Sequence, residues 1–233
     1  MREVFKNELN ALADDLVTMA TRAAEAVEKA SQALESNDLD LAEAVIDGDA
    51  EIDHLQGHID QQAAQILALQ APVAHDLRVV ISALKMSVAI ERMGDLARHI
   101  ASLVRIRHPK PALPPAFADT FSLMGRSAHR IGRSLVELLD NPGLDAVPTI
   151  TAIDEELDDL HLRVFSMISE LGHSEVTPAQ IADVTLLSRY YERFGDQCVN
   201  VSQRVEYLLT GSWQPELSAS DAASHEQRSE PRH

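Results

Sequence analysis

The chain has 233 residues, of which 45% are hydrophobic, and this is enough to bury a sizeable core. Its 37 acidic residues outnumber its 20 basic residues, so the formal charge is −17, and a surface this negative repels nucleic-acid phosphates and anionic lipid headgroups. The single cysteine excludes an intrachain disulfide, and we find neither an apolar leader nor an uncharged apolar run of the roughly 18 residues that a membrane span needs. We expect a soluble protein with no nucleic-acid binding and no direct membrane insertion.

Helix-forming composition runs through the chain, because aromatic residues make up only 4% and long stretches are rich in Ala, Leu, Glu, Gln and Arg. Proline and glycine punctuation divides the sequence into six predicted helices. They cover residues 3–35, 39–69, 73–107, 115–140, 145–172 and 178–210. Apolar residues recur at spacings of three and four, as in Leu157, Leu160 and Val164, and such narrow seams are typical of antiparallel bundles. The fold class predicted is all-α.

The second half of the sequence repeats the first. At an offset of 105 residues, Asp49 and Asp53 match Asp154 and Asp158, and the offset falls to 101 where Glu91, Gly94 and Asp95 match Glu192, Gly195 and Asp196. A fixed offset of this kind indicates duplicated architecture. The sequence predicts two three-helix units, residues 1–110 and 111–213, joined by a proline-rich linker. Residues 214–233 have no apolar period and are predicted to be a disordered tail.

Each unit is predicted to bring four carboxylates to one height, because the second and third helices of a unit must run antiparallel across a short turn. Counted from a turn near Ala71, Asp53 lies 18 residues before it and Glu91 lies 20 residues after it. The second hairpin shows the same matching of levels around Glu175. The candidate metal ligands are Asp49, Asp53, Glu91 and Asp95 in the first unit, and Asp154, Asp158, Glu192 and Asp196 in the second.

Converging carboxylates repel one another unless protons, basic side chains or a cation compensate them. Oxygen ligands suit hard or borderline cations, so magnesium, calcium, manganese or iron is expected, with zinc possible. The mid-helix glycine between the acids costs about 1 kcal/mol relative to alanine, yet it occurs in both units. The alternative is a solvated acidic face that is neutralised by Arg92 and Arg193.

The sequence at these positions resembles the PhoU family, the phosphate-uptake regulators of bacteria. The resemblance covers about residues 3–210, and it rests on "LQAPVAHDLR" at 69–78, "ERMGDLARHIA" at 91–101 and "ERFGDQCVNVS" at 192–202. It implies two three-helix bundles, multinuclear metal clusters on the bundle surface and a homodimer. One departure is that His99 stands where the second motif has Asn200.

The resemblance also implies a cytoplasmic protein at the inner face of the membrane, without catalysis of its own. In this role it restrains the phosphate-starvation response between the phosphate-specific ABC transporter, through its ATPase subunit, and a sensor histidine kinase. Two other classes stay open. One is a structural scaffold without metal. The other is a di-metal carboxylate enzyme, but such enzymes use Glu-x-x-His motifs on two helices, and neither unit has a pair of these motifs placed inside its bundle.

Three further residues or pairs have alternative interpretations. His54 and His58 have the spacing of metal ligands, but without a third histidine nearby they are interpreted as exposed helical residues. Cys198 lies on an apolar seam and is predicted to be a buried packing residue. Arg78 either contacts a partner or caps its neighbours.

Overall fold

The computed structural model describes residues 2–171 and 176–212, and within them it contains six α-helices and no strand. The helices are α1 (Arg2–Ser36), α2 (Leu39–Gln70), α3 (Ala74–Arg107), α4 (Ala118–Asp140), α5 (Val147–Glu170) and α6 (Pro178–Thr210). The predicted all-α fold is confirmed. The predicted tail at 214–233 and the turn near Glu175 lie outside the described residues.

Local chemistry explains three of the helix ends. The Asp38 side chain caps α2 by accepting from the backbone N–H of Leu41 at 3.0 Å, and Thr177 and Gln180 form a capping box at the start of α6. Gly211 ends α6 in the left-handed region with φ of 75°, which glycine adopts at little cost.

The fourth and fifth predicted helices begin too early and the fifth ends too late. Residues Pro115–Phe117 and Leu144–Ala146 form single 3-10 turns before α4 and α5, and α5 ends at Glu170. Proline fixes φ but lacks an N–H, so Pro115 and Pro148 are suited to a first turn. The sequence pattern alone does not separate that turn from the helix that follows it.

The two units share one core. Helices α1, α3, α4 and α6 pack together in the centre. Helix α2 packs on α1 and α3, and α5 packs on α4 and α6. The largest fully buried side chains include Phe117, Phe121, Tyr191 and Phe194, and they belong to a single continuous cluster of buried residues. The α2–α3 and α5–α6 hairpins therefore keep their outward grooves at the surface.

Helices α3 and α6 run antiparallel and join the units. At one end Arg107 donates to both carboxylate oxygens of buried Asp183, at 2.7 and 2.8 Å. At the middle, Cys198 is fully buried against Met93, with 3.9 Å between the sulfur atoms, and burial raises the pKa of its thiol. The prediction that Cys198 is a packing residue is confirmed. Within the described residues no helix is both long and apolar enough to cross a membrane.

Candidate metal centre

The first group of acids lies in the groove between α2 and α3. Asp49, Glu91 and Asp95 are half-buried and Asp53 is exposed. Burial raises the pKa of Glu91, and the negative charges of Asp95 and Asp53 raise it further. Burial also raises the pKa of Asp49, against the lowering effect of Arg98. The negative charges of Asp49, Asp53 and Asp95 thus act on Glu91 in this groove.

Arg98 bridges the two helices at this point. Its Nε lies 2.5 Å from Asp49 Oδ2, and a terminal guanidinium nitrogen lies 2.5 Å from Asp95 Oδ1. Arg92, which the alternative interpretation names as a neutraliser, is exposed and makes no ion pair among the described residues, but its positive charge counteracts the rise in the pKa of Glu91. An arginine three residues after Asp95 reaches back along the same face of the helix.

The second group lies between α5 and α6, and Glu192 is its most buried member, with 9% of its surface exposed. Burial and the nearby charges of Asp196 and Asp158 raise the pKa of Glu192 to about 7, even though Arg189 is in contact with its Oε1. Its other oxygen, Oε2, is buried and accepts no hydrogen bond from the described residues. Arg189 makes the direct contact in this group, and the charge of Arg193 also counteracts the rise in the pKa values of Glu192 and Asp196.

Sequence reasoning missed His161, which lies beside Asp158. Its Nδ1 is 2.9 Å from Ser188 Oγ, and this hydroxyl donates to the carbonyl oxygen of Thr185. Since the hydroxyl proton is used in this way, Ser188 accepts from His161 Nδ1–H, and the imidazole lone pair is on Nε2. Burial lowers the pKa of His161, so the ring is neutral. The matching residue in the first unit is Gln56, so the two groups differ in donor chemistry.

The glycines of the two motifs allow the helices to approach closely. A Cβ atom added at Gly94 would lie 2.7 Å from Ile52 Cδ1 and 3.3 Å from Asp49 Oδ1. A Cβ atom added at Gly195 would overlap Asp154 Oδ1 and lie 3.0 Å from Leu157 Cδ1. Glycine therefore makes room for Asp49 and Asp154 beside the opposing helix, which accounts for a residue that otherwise weakens a helix.

As the side chains lie, no three His, Cys, Asp or Glu residues among those the structure describes are close enough to hold one metal ion. Arg98 and Arg189 occupy part of the space between the acids. The donor set nevertheless fits a hard cation, since it consists of carboxylates in a groove where glycine lets the helices approach, and one buried oxygen of Glu192 accepts no hydrogen bond from the part of the chain that the structure describes. Binding would require each arginine to move aside.

His58 lies away from both groups. Its Nε2 is 3.7 Å from Asp15 Oδ2 on α1 and 2.7 Å from the side-chain nitrogen of Gln62, and His54 is exposed. These contacts agree with the interpretation that neither histidine belongs to the acidic groups.

Replacement of Gly195 by alanine tests whether α5 and α6 need glycine to approach each other closely. Alanine favours a helix by roughly 0.5–1 kcal/mol, but its Cβ must displace Asp154 and crowd the buried Leu157, and such overpacking costs roughly 1–3 kcal/mol. We expect Gly195→Ala to lower the free energy of unfolding measured in urea. Gly57→Ala is the matched control, because a Cβ there meets nothing within 4 Å and should stabilise the protein. Equal stabilisation by both variants would contradict the account.

The raised pKa of Glu192 predicts that metal-free protein loses stability as pH rises. The folded state holds the proton up to a pKa of about 7, whereas the ordinary value is 4.5, so stability falls between these values by up to about 3 kcal/mol. The pKa values of Asp158 and Asp196 are also raised and act in the same direction. In Glu192→Gln, the free energy of unfolding measured in urea should depend less on pH between pH 5 and pH 8. Glu155→Gln, at an exposed position, is the control. If the free energy of unfolding of Glu192→Gln depends on pH as steeply as that of the wild-type protein, Glu192 is not the source of the pH dependence.

Comparison with known proteins now decides the family. The model of the PhoU domain matches twice, at residues 16–104 and 121–205, so that one match falls in each predicted unit. The chain belongs to the PhoU family.

Its similarity to PhoU proteins extends over nearly the whole chain. The phosphate-specific transport system accessory protein PhoU homolog 2 of Mycobacterium tuberculosis is 40% identical over 213 residues, which cover 91% of this chain and 100% of the relative. A PhoU homolog of Synechocystis is 28% identical over 212 residues, or 90% of this chain and 93% of the relative.

Solved PhoU structures share the fold. The crystal structure of the phosphate transport system regulatory protein PhoU from Streptococcus pneumoniae aligns with a TM-score of 0.81 and 27% identity, covering 91% of this chain and 99% of that one. PhoU from Pseudomonas aeruginosa aligns with a TM-score of 0.79 at 24% identity, covering 89% of this chain and all of the other, and it bears on the fold alone.

Proposed function

We propose that this PhoU protein is an accessory regulator of a phosphate-specific transport system and restrains the phosphate-starvation response when phosphate is plentiful. The observation that carries this proposal is the doubled PhoU domain, together with a relative that is named as such an accessory protein and is covered over its full length. In this role the protein is a cytoplasmic adaptor between the ATPase subunit of the transporter and a sensor histidine kinase. It acts as a homodimer and without catalysis.

Metal ions held by the two acidic groups are part of the same proposal. Each group lies in an outward groove, between α2 and α3 or between α5 and α6, where a bound cation would be next to any protein docked on that face. Iron, zinc, manganese or magnesium would supply positive charge to groups of carboxylates in which one arginine each makes the direct ion pairs. The same cation would fix the spacing of the two helices of the hairpin.

Deletion of the gene tests the regulatory role. We expect expression of the phosphate transporter to rise in cells grown with ample phosphate, because the restraint on the starvation response is removed. Transcript levels of the transporter, with and without a plasmid copy of the gene, give the result. Unchanged expression in a strain without a second PhoU gene would refute the regulatory role.

The adaptor role requires a physical contact. Affinity capture of the tagged protein from cells grown with ample phosphate, followed by mass spectrometry, should recover the transporter ATPase subunit and a sensor histidine kinase. Purified copies of each candidate should then bind directly. Recovery of neither would contradict the adaptor role, even if the deletion changed expression.

A further inference from the structure

A second site of different chemistry lies away from both acidic groups, where the first turns of α3 meet the last turns of α6. The cavity there has a volume of about 450 Å³, within the roughly 300–1,000 Å³ of small-molecule sites. It is lined by Leu77, Arg78, Ile81, Ser82, Lys85, Arg204 and Tyr207. Among the described residues that line it, three are cationic and none is acidic, in a protein whose acidic residues outnumber its basic ones by 37 to 20.

The charges of Arg78 and Lys85 are not used in ion pairs within the described residues. The guanidinium of Arg78 lies 5.7 Å from the centre of the Tyr207 ring, and its Nε is buried without a hydrogen-bond partner there. The sequence left Arg78 open between a partner contact and a cap, and the structure shows it packed on an aromatic ring at the wall of this cavity. Partial burial lowers the pKa of Arg204, so a nearby anion would stabilise its charged form.

The internal repeat allows the three cationic positions to be compared with their counterparts. At the offset of 101 residues, Arg78 and Lys85 of α3 match Ala179 and Leu186 of α6. In the other direction, Arg204 of α6 matches Leu103 of α3. The equivalent corner at the opposite end of the same helix pair is therefore built without any of the three. This end of the α3–α6 pair thus carries three cations at positions that are apolar in the repeat.

The donors of the cavity suit a phosphate group. Arg78 and Lys85 supply a guanidinium and an ammonium group, Arg204 places a second guanidinium group in the lining, and the hydroxyl of Ser82 can add a neutral donor. A phosphate dianion has more acceptor oxygens and more charge than a carboxylate, so it can use more of these donors at once. The side chains of Leu77 and Ile81 leave an apolar wall beside the cations, where the rest of a phosphate ester could lie.

We propose that Arg78, Lys85 and Arg204 form a binding site for a phosphate group, carried either by free inorganic phosphate or by a small phosphate ester such as a nucleotide. The site is separate from the acidic grooves and does not depend on metal. It gives the protein a place where an anionic metabolite can bind directly to the helix pair that joins its two units.

Isothermal titration calorimetry on metal-free protein at constant ionic strength tests the site, with inorganic phosphate and ADP as probes. We expect saturable binding of at least one probe at millimolar concentration. Tighter binding of ADP assigns the site to a phosphate ester, whereas equal or tighter binding of inorganic phosphate assigns it to the free anion. The triple variant Arg78→Ala with Lys85→Leu and Arg204→Leu places at these three positions the residue types found at the matching positions of the repeat. It should abolish binding.

Single variants keep the test valid if the triple variant fails to fold. Lys85→Leu should weaken binding about tenfold, since one charge-assisted hydrogen bond contributes about 1.5 kcal/mol or more. Arg105→Leu removes an equal charge from an exposed position on the same helix and should leave the affinity unchanged. Two results would overturn the proposal: no binding of either probe, or equal weakening by Lys85→Leu and Arg105→Leu.

Discussion

Added divalent metal is expected to raise the melting temperature of metal-free protein. A cation that binds only the folded state stabilises it by roughly 2.7 kcal/mol when free metal is a hundred times its dissociation constant. For a chain of this size each kcal/mol corresponds to about 2–4 °C, so one occupied group should add roughly 5–10 °C. The physical reason is that the cation relieves the repulsion and the burial cost that raise the pKa values of Glu91 and Glu192.

Substitution of the acids separates metal binding from general charge effects. Glu91→Gln with Asp95→Asn should abolish the thermal shift that belongs to the first group, while circular dichroism of the metal-free variant still shows an all-helical protein. Glu43→Gln with Asp47→Asn is the matched control, because it removes an exposed acid pair of the same spacing from α2. If the control variant loses as much of the metal-induced rise in melting temperature as Glu91→Gln with Asp95→Asn does, the metal binds the acidic surface unspecifically.

Truncation of Phe194 should destabilise both units at once. Phe194 is fully buried on α6, and a Cβ added at Gly132 of α4 would meet Ala24 of α1 at 3.1 Å and Phe194 Cζ at 3.6 Å, so these residues form the seam between the units. Phe194→Ala leaves a cavity in that seam and should cost roughly 3–5 kcal/mol. Because the core is continuous, unfolding in urea should stay a single transition at a lower midpoint.

Phe165→Ala is the control for that experiment. Phe165 is 43% exposed on α5, so its truncation removes less buried surface and should cost much less than truncation of Phe194. Two separate transitions in the Phe194→Ala variant would show that the units fold independently and would contradict the shared core.

The architecture was predictable because it depends on patterns that repeat along the chain. Helix periodicity, proline punctuation and the two offsets placed six helices and brought the acids of each hairpin to one groove. That grouping was accessible because the rise per residue along a helix is constant, so equal distances from a turn become equal heights. The role of Gly94 and Gly195 became clear only with the close approach of Asp49 and Asp154.

Side-chain partners were less predictable, because rotamers decide them. Arg92 and Arg98 are both near the acids in sequence, and only the direction in which each side chain leaves the helix shows that Arg98 is the bridge. The basic cavity could not be read from the sequence at all, since Arg78 and Arg204 are more than a hundred residues apart and meet only because α3 and α6 are antiparallel. The shared core of the two units likewise depends on tertiary packing that the repeat does not specify.

Elemental analysis of protein purified without chelators is the most direct test of the central claim that the acidic grooves hold metal. We expect at least one bound iron, zinc, manganese or magnesium ion per acidic group. The content should fall in Glu91→Gln with Asp95→Asn and fall further when Glu192→Gln and Asp196→Asn are added. The absence of metal in the wild-type protein, together with a melting temperature indifferent to added Mg²⁺, Mn²⁺, Zn²⁺ and iron, would contradict it.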